Sequence, residues 1–320
     1  MRIDSNEILK TTVAKAENTN TTNNTDIQLF ESKEQQQSVL SKTTQGTNAD
    51  VELGKIENSA IPGFSKQCLQ IKTTQGEVFN INVFIQSSAD IEKVDKLSKT
   101  LTKTLSNLPL NILEDMQKEC KHIFILKNIP HNIEAKALAI GPLNQIFISS
   151  DRMSEEPEEE LANTITHELG HLVDRTNTSG NEQCSKLHVK AFNNVKNTLI
   201  NDLGFNPESH SLAKPSEMFA DYYLYQRGNP RNNHRCIELF DTLLAYKADV
   251  ETLTSEELNS IYGEKTEKIK FVVSEWKKLE KNYDAFLEFL DKGTLSRIKE
   301  DAQPMSLEQI EEINNQNKKS

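Results

Sequence analysis

His167, Glu168, Leu169, Gly170 and His171 stand in a row near the middle of a 320-residue chain. Two histidines four residues apart on a helix project from one face, so both imidazoles can meet a single ion. A glutamate directly after the first histidine then lies beside the open coordination position. There its carboxylate can take a proton from a bound water. With 7 histidines and 48 acidic residues in the whole chain, this pattern is expected by chance about 0.02 times. The spacing therefore points to a zinc site built for hydrolysis.

Such a site takes a third protein ligand and leaves one position for water. Asp174 and Asn177 stand where a glycine and a third histidine would extend the motif downstream, so that longer pattern is excluded. The best candidate is Glu217, within Ser216-Glu217-Met218-Phe219-Ala220-Asp221. Glu217 and Asp221 are again four apart, so both can face one way from a helix opening at Pro215. Glu217 would bind the metal, and Asp221 would orient a ligating imidazole through its second ring nitrogen. Glu208, His188 and His210 compete for the third position.

The elements that must carry these groups are partly legible. Leu161, Ile165, Leu169 and Leu172 recur at helical spacing around the motif. Ser154 is the expected cap of that helix, with Pro157 in its first turn. Glu155, Glu156, Glu158, Glu159 and Glu160 read as a solvated acidic start near its positive end. Upstream, Cys68–Thr73 and Glu77–Gln86 read as hairpin arms around Thr74-Gln75-Gly76. Helices are expected over Asp90–Leu108 and Leu110–Cys120, then a buried strand His122–Leu126. Ala137–Ile140 and Ile146–Ser149 form a second hairpin around 141–145. Further helices are expected over Lys186–Leu203, Pro215–Arg227, Arg235–Lys247 and Thr266–Asp291.

Composition sets the frame. From Thr11 to Asp50, 22 of 40 residues are Ser, Thr, Asn or Gln. That stretch has too little apolar surface to offset its ordering entropy, so residues 1–60 read as a disordered polar segment. Residues 61–305 read as one catalytic domain with C-terminal helices, and 306–320 as a polar tail. A net charge of -11 argues against nucleic acid as a partner. No apolar run reaches the length of a membrane span. The N-terminus lacks the apolar core of a cleavable signal peptide. Cys68, Cys120, Cys184 and Cys236 are widely spaced, which suits reduced thiols in a cytosol.

The arrangement H-E-x-x-H followed by E-x-F-A-D resembles the gluzincin domains of the anthrax lethal factor and Pro-Pro endopeptidase group. His167, Glu168, His171, Glu217, Phe219, Ala220 and Asp221 carry the likeness, which covers roughly residues 137–227. The resemblance implies an α+β, zincin-like, helix-rich fold with a small twisted sheet. It implies one zinc ion per chain, endopeptidase activity on a protein or peptide, and an edge strand that pairs with extended substrate. Ala137–Ile140 is the candidate for that strand. Members of the group carry a tyrosine two turns ahead of the ligand glutamate, where it stabilises the oxyanion. His210 occupies that position here. It is expected to act as the oxyanion donor, with Tyr222 and Tyr223 as the other candidates.

Two other classes stay open. One is a different zinc amide hydrolase, deformylase- or deamidase-like, with Cys68 as a third ligand. The other is an interaction protein with a vestigial site. The polar N-terminus and Glu308, Glu311 and Glu312 in the tail suit a bacterial effector. Such a protein would sit in the bacterial cytoplasm before export and then act in host cytosol. A resident cytoplasmic peptidase is the alternative.

Overall fold

The computed structural model describes residues 49–73, 76–130, 134–140, 144–174, 182–228 and 234–291. The expectations for 1–48, for the tail at 306–320 and for the turn residues 74–75 and 141–143 fall outside these.

β3 (Phe64–Lys72) and β4 (Val78–Gln86) are the two long arms expected from their β-branched and aromatic content. They pair antiparallel, in register from Phe64↔Gln86 to Lys72↔Val78. β4 then runs parallel to β5 (His122–Leu126), which parallel pairing permits only with a crossover between them. α1 (Ile91–Asn107) and α2 (Leu110–Glu119) supply it. β5 pairs parallel with β7 (Gln145–Ser149), and β6 (Ala137–Ile140) adds antiparallel to β7 at the end of the sheet.

The period of two in β5 and β7 divides the core. Ile123, Ile125, Ile146 and Ile148 face the helices and join the large cluster. Phe124, Phe147 and Phe84 face the other way and stack across the strands, with ring centroids 4.9 and 5.0 Å apart. Both faces of the central strands are thus covered, and all of β5 is buried.

The rest of the described residues are mainly helical: α3 (Glu158–Val173), α4 (Glu182–Asn197), α5 (Pro215–Arg227), α6 (His234–Thr252), α7 (Ser255–Tyr262) and α8 (Thr266–Asp291). The described residues are α+β, with a small mixed sheet. No helix among them is long and apolar enough to cross a membrane.

Three sequence expectations change. The loose segment does not run to residue 60. β1 (Asp50–Leu53) and β2 (Glu57–Asn58) both pair with β3, and Ala49 is buried with its N–H donated to the Ser106 carbonyl at 2.9 Å. Polar composition did not betray them because edge strands bury little of themselves. Ser154 does not cap α3; it ends a single turn over Ser150–Met153, and Pro157 is the capping residue. The acidic run is not merely solvated. Glu155 pairs with Lys96, Glu158 with Lys103 at 2.7 Å, and Glu156 and Glu160 share Lys136 at 2.9 and 2.7 Å. The helix α7 has no counterpart in the sequence reading, although Thr254 and Glu257 form a full capping box at its start.

Candidate metal centre

α3 is set against the rest of the fold by Leu161, Ile165, Leu169 and Leu172, all fully buried. Within the motif, Gly170 does a separate job. A Cβ there would lie 2.8 Å from the Cα of Ala220. Only a residue with no side chain lets α5 approach α3 so closely. That approach brings Glu217 and Asp221, on one side of Ala220's helix, up to His167 and His171.

The rotation of α5 about its own axis is fixed from its other side. Tyr222 Oη donates to Asp284 of α8 at 2.6 Å, and Tyr223 Oη donates to Asp115 of α2 at 2.7 Å. Arg227 donates to the Leu287 carbonyl at 3.0 Å and pairs with Asp291 at 2.6 Å. Pro215 starts the helix, and Lys214 before it is extended.

The result is a tight corner. His167 Nε2, His171 Nε2 and Glu217 Oε2 form a triangle with sides of 3.2, 3.1 and 3.3 Å. A tetrahedral zinc ion with bonds of about 2.0–2.1 Å would hold its ligands about 3.3–3.4 Å apart. The three atoms therefore fit the base of such a site. Asp221 Oδ1 accepts from His167 Nδ1 at 2.7 Å, which turns Nε2 toward the corner. Ser211 Oγ donates to Asp221 Oδ2 at 2.6 Å. Lys214 Nζ sits 3.0 Å from Glu217 Oε1, so the second carboxylate oxygen is drawn away from the imidazoles.

His210 enters the same corner from a short 3-10 turn, His210–Leu212. Its Nε2 is 3.4 Å from Glu217 Oε2 and its Nδ1 is 3.6 Å from Asp221 Oδ2. Donor atoms of His167, His210 and Glu217 all lie within 4.8 Å of one another, so these residues form a possible metal-binding group in their own right. The triangle through His171 is the tighter of the two, and it has the edge lengths of a coordination polyhedron. Glu168, directly after His167 in α3, is buried, and its charge acts on His167.

The electrostatics favour a cation. Burial alone would raise the carboxyl of Glu217, but hydrogen bonds with His167 and His171 hold it well below the usual carboxylate range. Asp221 is likewise held down, against its burial, by His167, His210 and Ser211. Burial disfavours a charged His167, yet Asp221 and Glu217 push its pKa up to about 10. Two ionised carboxylates thus hold a proton on an imidazole, in a place where a divalent metal would take that proton's role.

The sequence candidates sort cleanly. His167, His171, Glu217, Asp221 and His210 come together. His188 does not: it is buried on α4 with its ring 5.5 Å from that of Tyr283. Glu208 is exposed on the turn ahead of His210. Tyr222 and Tyr223 are also excluded as oxyanion donors, because their hydroxyls are bound to Asp284 and Asp115. Cys68 lies on β3, near the far end of the sheet from β6. The sequence reading missed Ser211 and Lys214, which adjoin the site in sequence but carry no motif. Comparison with protein-family models, with curated proteins and with solved structures finds no match to this chain.

Proposed function

We propose that the protein is a zinc-dependent endopeptidase with His167, His171 and Glu217 as ligands and Glu168 as general base. The observation that carries this reading is the triangle of His167, His171 and Glu217 donor atoms, with sides near those of a tetrahedral zinc site. Zinc held there would acidify a water at the fourth position and polarise the scissile carbonyl. Glu168 would accept a proton from the attacking water as the oxygen of that water bonds to the carbonyl carbon. The same carboxyl then gives the proton to the amine nitrogen as the C–N bond breaks. His210, at the rim of the same corner, would donate to the oxygen on which charge develops.

A protein substrate is supported by the placement of β6. This strand ends the sheet, pairs among the described residues with β7 alone, and packs beside α3. Its outer edge offers backbone N–H and C=O groups to an extended peptide running past the metal corner. Delivery into host cytosol as a bacterial effector remains part of the proposal, resting on the polar N-terminal composition.

The test pairs metal analysis with proteolysis. Purified protein should hold about one zinc per chain. Glu168→Gln should keep the metal and lose about 10²–10⁴-fold in turnover. N-terminal profiling of host lysate should then show new peptide ends with wild type and none with the variant. Full activity of Glu168→Gln with zinc bound would sink the mechanism.

A further inference from the structure

His167 and His210 both face the two carboxylates, His167 through a hydrogen bond to Asp221 and His210 at longer range. His167 turns Nδ1 to Asp221 Oδ1 and Nε2 to Glu217 Oε2, at 2.7 and 3.3 Å. His210 turns Nδ1 to Asp221 Oδ2 and Nε2 to the same Glu217 Oε2, at 3.6 and 3.4 Å. Asp221 therefore places one oxygen near each imidazole. A carboxylate on one ring nitrogen is the device that fixes a histidine's tautomer and presents the other nitrogen as a ligand. At 3.6 Å His210 Nδ1 lies beyond hydrogen-bond length of Asp221 Oδ2, so the carboxylate acts on this ring by its charge, while Nε2 is the nitrogen nearer Glu217. The edge of 3.4 Å to Glu217 also matches the spacing of two ligands on one zinc, about 3.3–3.4 Å. The two histidines differ in freedom: the side chain of His167 is 13% exposed and that of His210 is 47% exposed.

From this arrangement we infer that His210 is a fourth protein ligand of the resting metal site, drawn there by the charge of Asp221 and displaced when substrate enters. The inference rests on the zinc reading above and deepens it. A zinc site with four protein ligands has no place for water, which is the arrangement of structural rather than catalytic sites. The resting protein is thus latent at its own metal, and entry of a peptide carbonyl opens the site. His210 has the exposure to swing aside, and from the rim it can meet the substrate oxygen once it leaves the metal. Ser211, bonded to Asp221 Oδ2 at 2.6 Å, anchors the turn from which it moves.

X-ray absorption at the zinc edge of the full-length, zinc-loaded protein counts its imidazole ligands. Wild type should show three, and His210→Ala two with a light oxygen scatterer in place of the third. Acetohydroxamate, a bidentate metal ligand, should lower the wild-type count from three to two and leave the variant's imidazole count at two. Two imidazoles in resting wild type would overturn the inference while leaving the zinc reading intact. Three imidazoles that persist under saturating acetohydroxamate would overturn displacement. Failure of the zinc reading looks different: no zinc is retained, or zinc is retained undiminished in both His167→Ala and Glu217→Ala.

Discussion

Asp221 uses both carboxylate oxygens at the metal corner, one toward His167 and the other shared by Ser211 and His210. Changing it to asparagine keeps the shape and removes the charge that holds the imidazoles. Asp221→Asn should weaken zinc binding about 10–100-fold with the fold retained, as competition with a chelator would measure. His122 offers a second test at this scale. It opens β5, is buried, and sits edge-on to Phe84 at 5.3 Å. Burial, with Lys121 and Lys66 nearby, lowers its pKa to about 4. An unfolded-state histidine titrates near 6.5, so between these values the unfolded chain binds a proton that the folded chain refuses. Stability is then full above about pH 6.5, falls as pH drops, and levels off below about 4, a loss on the order of 3 kcal/mol at most. Denaturant unfolding of His122→Phe from pH 7 to pH 4 should lack that part of the slope. An unchanged slope would show that His122 is not held neutral.

At the scale of elements, the contact of α3 with α5 decides whether the site exists. Alanine is ordinarily favoured over glycine in a helix by about 1 kcal/mol. At Gly170 the sign should reverse, because the added Cβ meets the Ala220 backbone at 2.8 Å. Gly170→Ala should cost about 1–3 kcal/mol of stability as the helices part. Zinc affinity should fall with it, since the histidines lie on one helix and Glu217 on the other. A stabilised Gly170→Ala, seen as a higher Tm, would mean that the close approach is not required.

For the molecule as a whole, the sheet begins earlier than composition suggests. β1 pairs with β3 from Asp50↔Lys72 to Leu53↔Leu69, and Ala49 is tied to the end of α1. A chain starting at residue 62 loses both strands, whereas one starting at residue 49 keeps them. The shorter chain should melt lower, by about 2–4 °C for each kcal/mol lost. Equal Tm values would show that β1 and β2 contribute nothing to the cooperative unit.

What the sequence determined by itself was local. His167 and His171 share a helix face because an α-helix places i and i+4 together, and no distant residue can change that. The same rule put Glu217 and Asp221 on one face of α5, and the apolar spacing of α3 and the alternation of β5 were legible for the same reason. Whether the two faces would meet was not legible, because 46 positions separate His171 from Glu217 and pairing at that distance depends on packing. Gly170 looked like a free position of the motif until α5 came to lie against it. His210 was singled out as an oxyanion donor only by a resemblance; its approach to Glu217 at 3.4 Å is set by the turn that carries it. Tyr222 and Tyr223 adjoin Asp221 in sequence, yet their hydroxyls are bound to α8 and α2. Periodicity gives each helix its faces; only the closure of the core chooses which faces touch, and the metal corner is made of that choice.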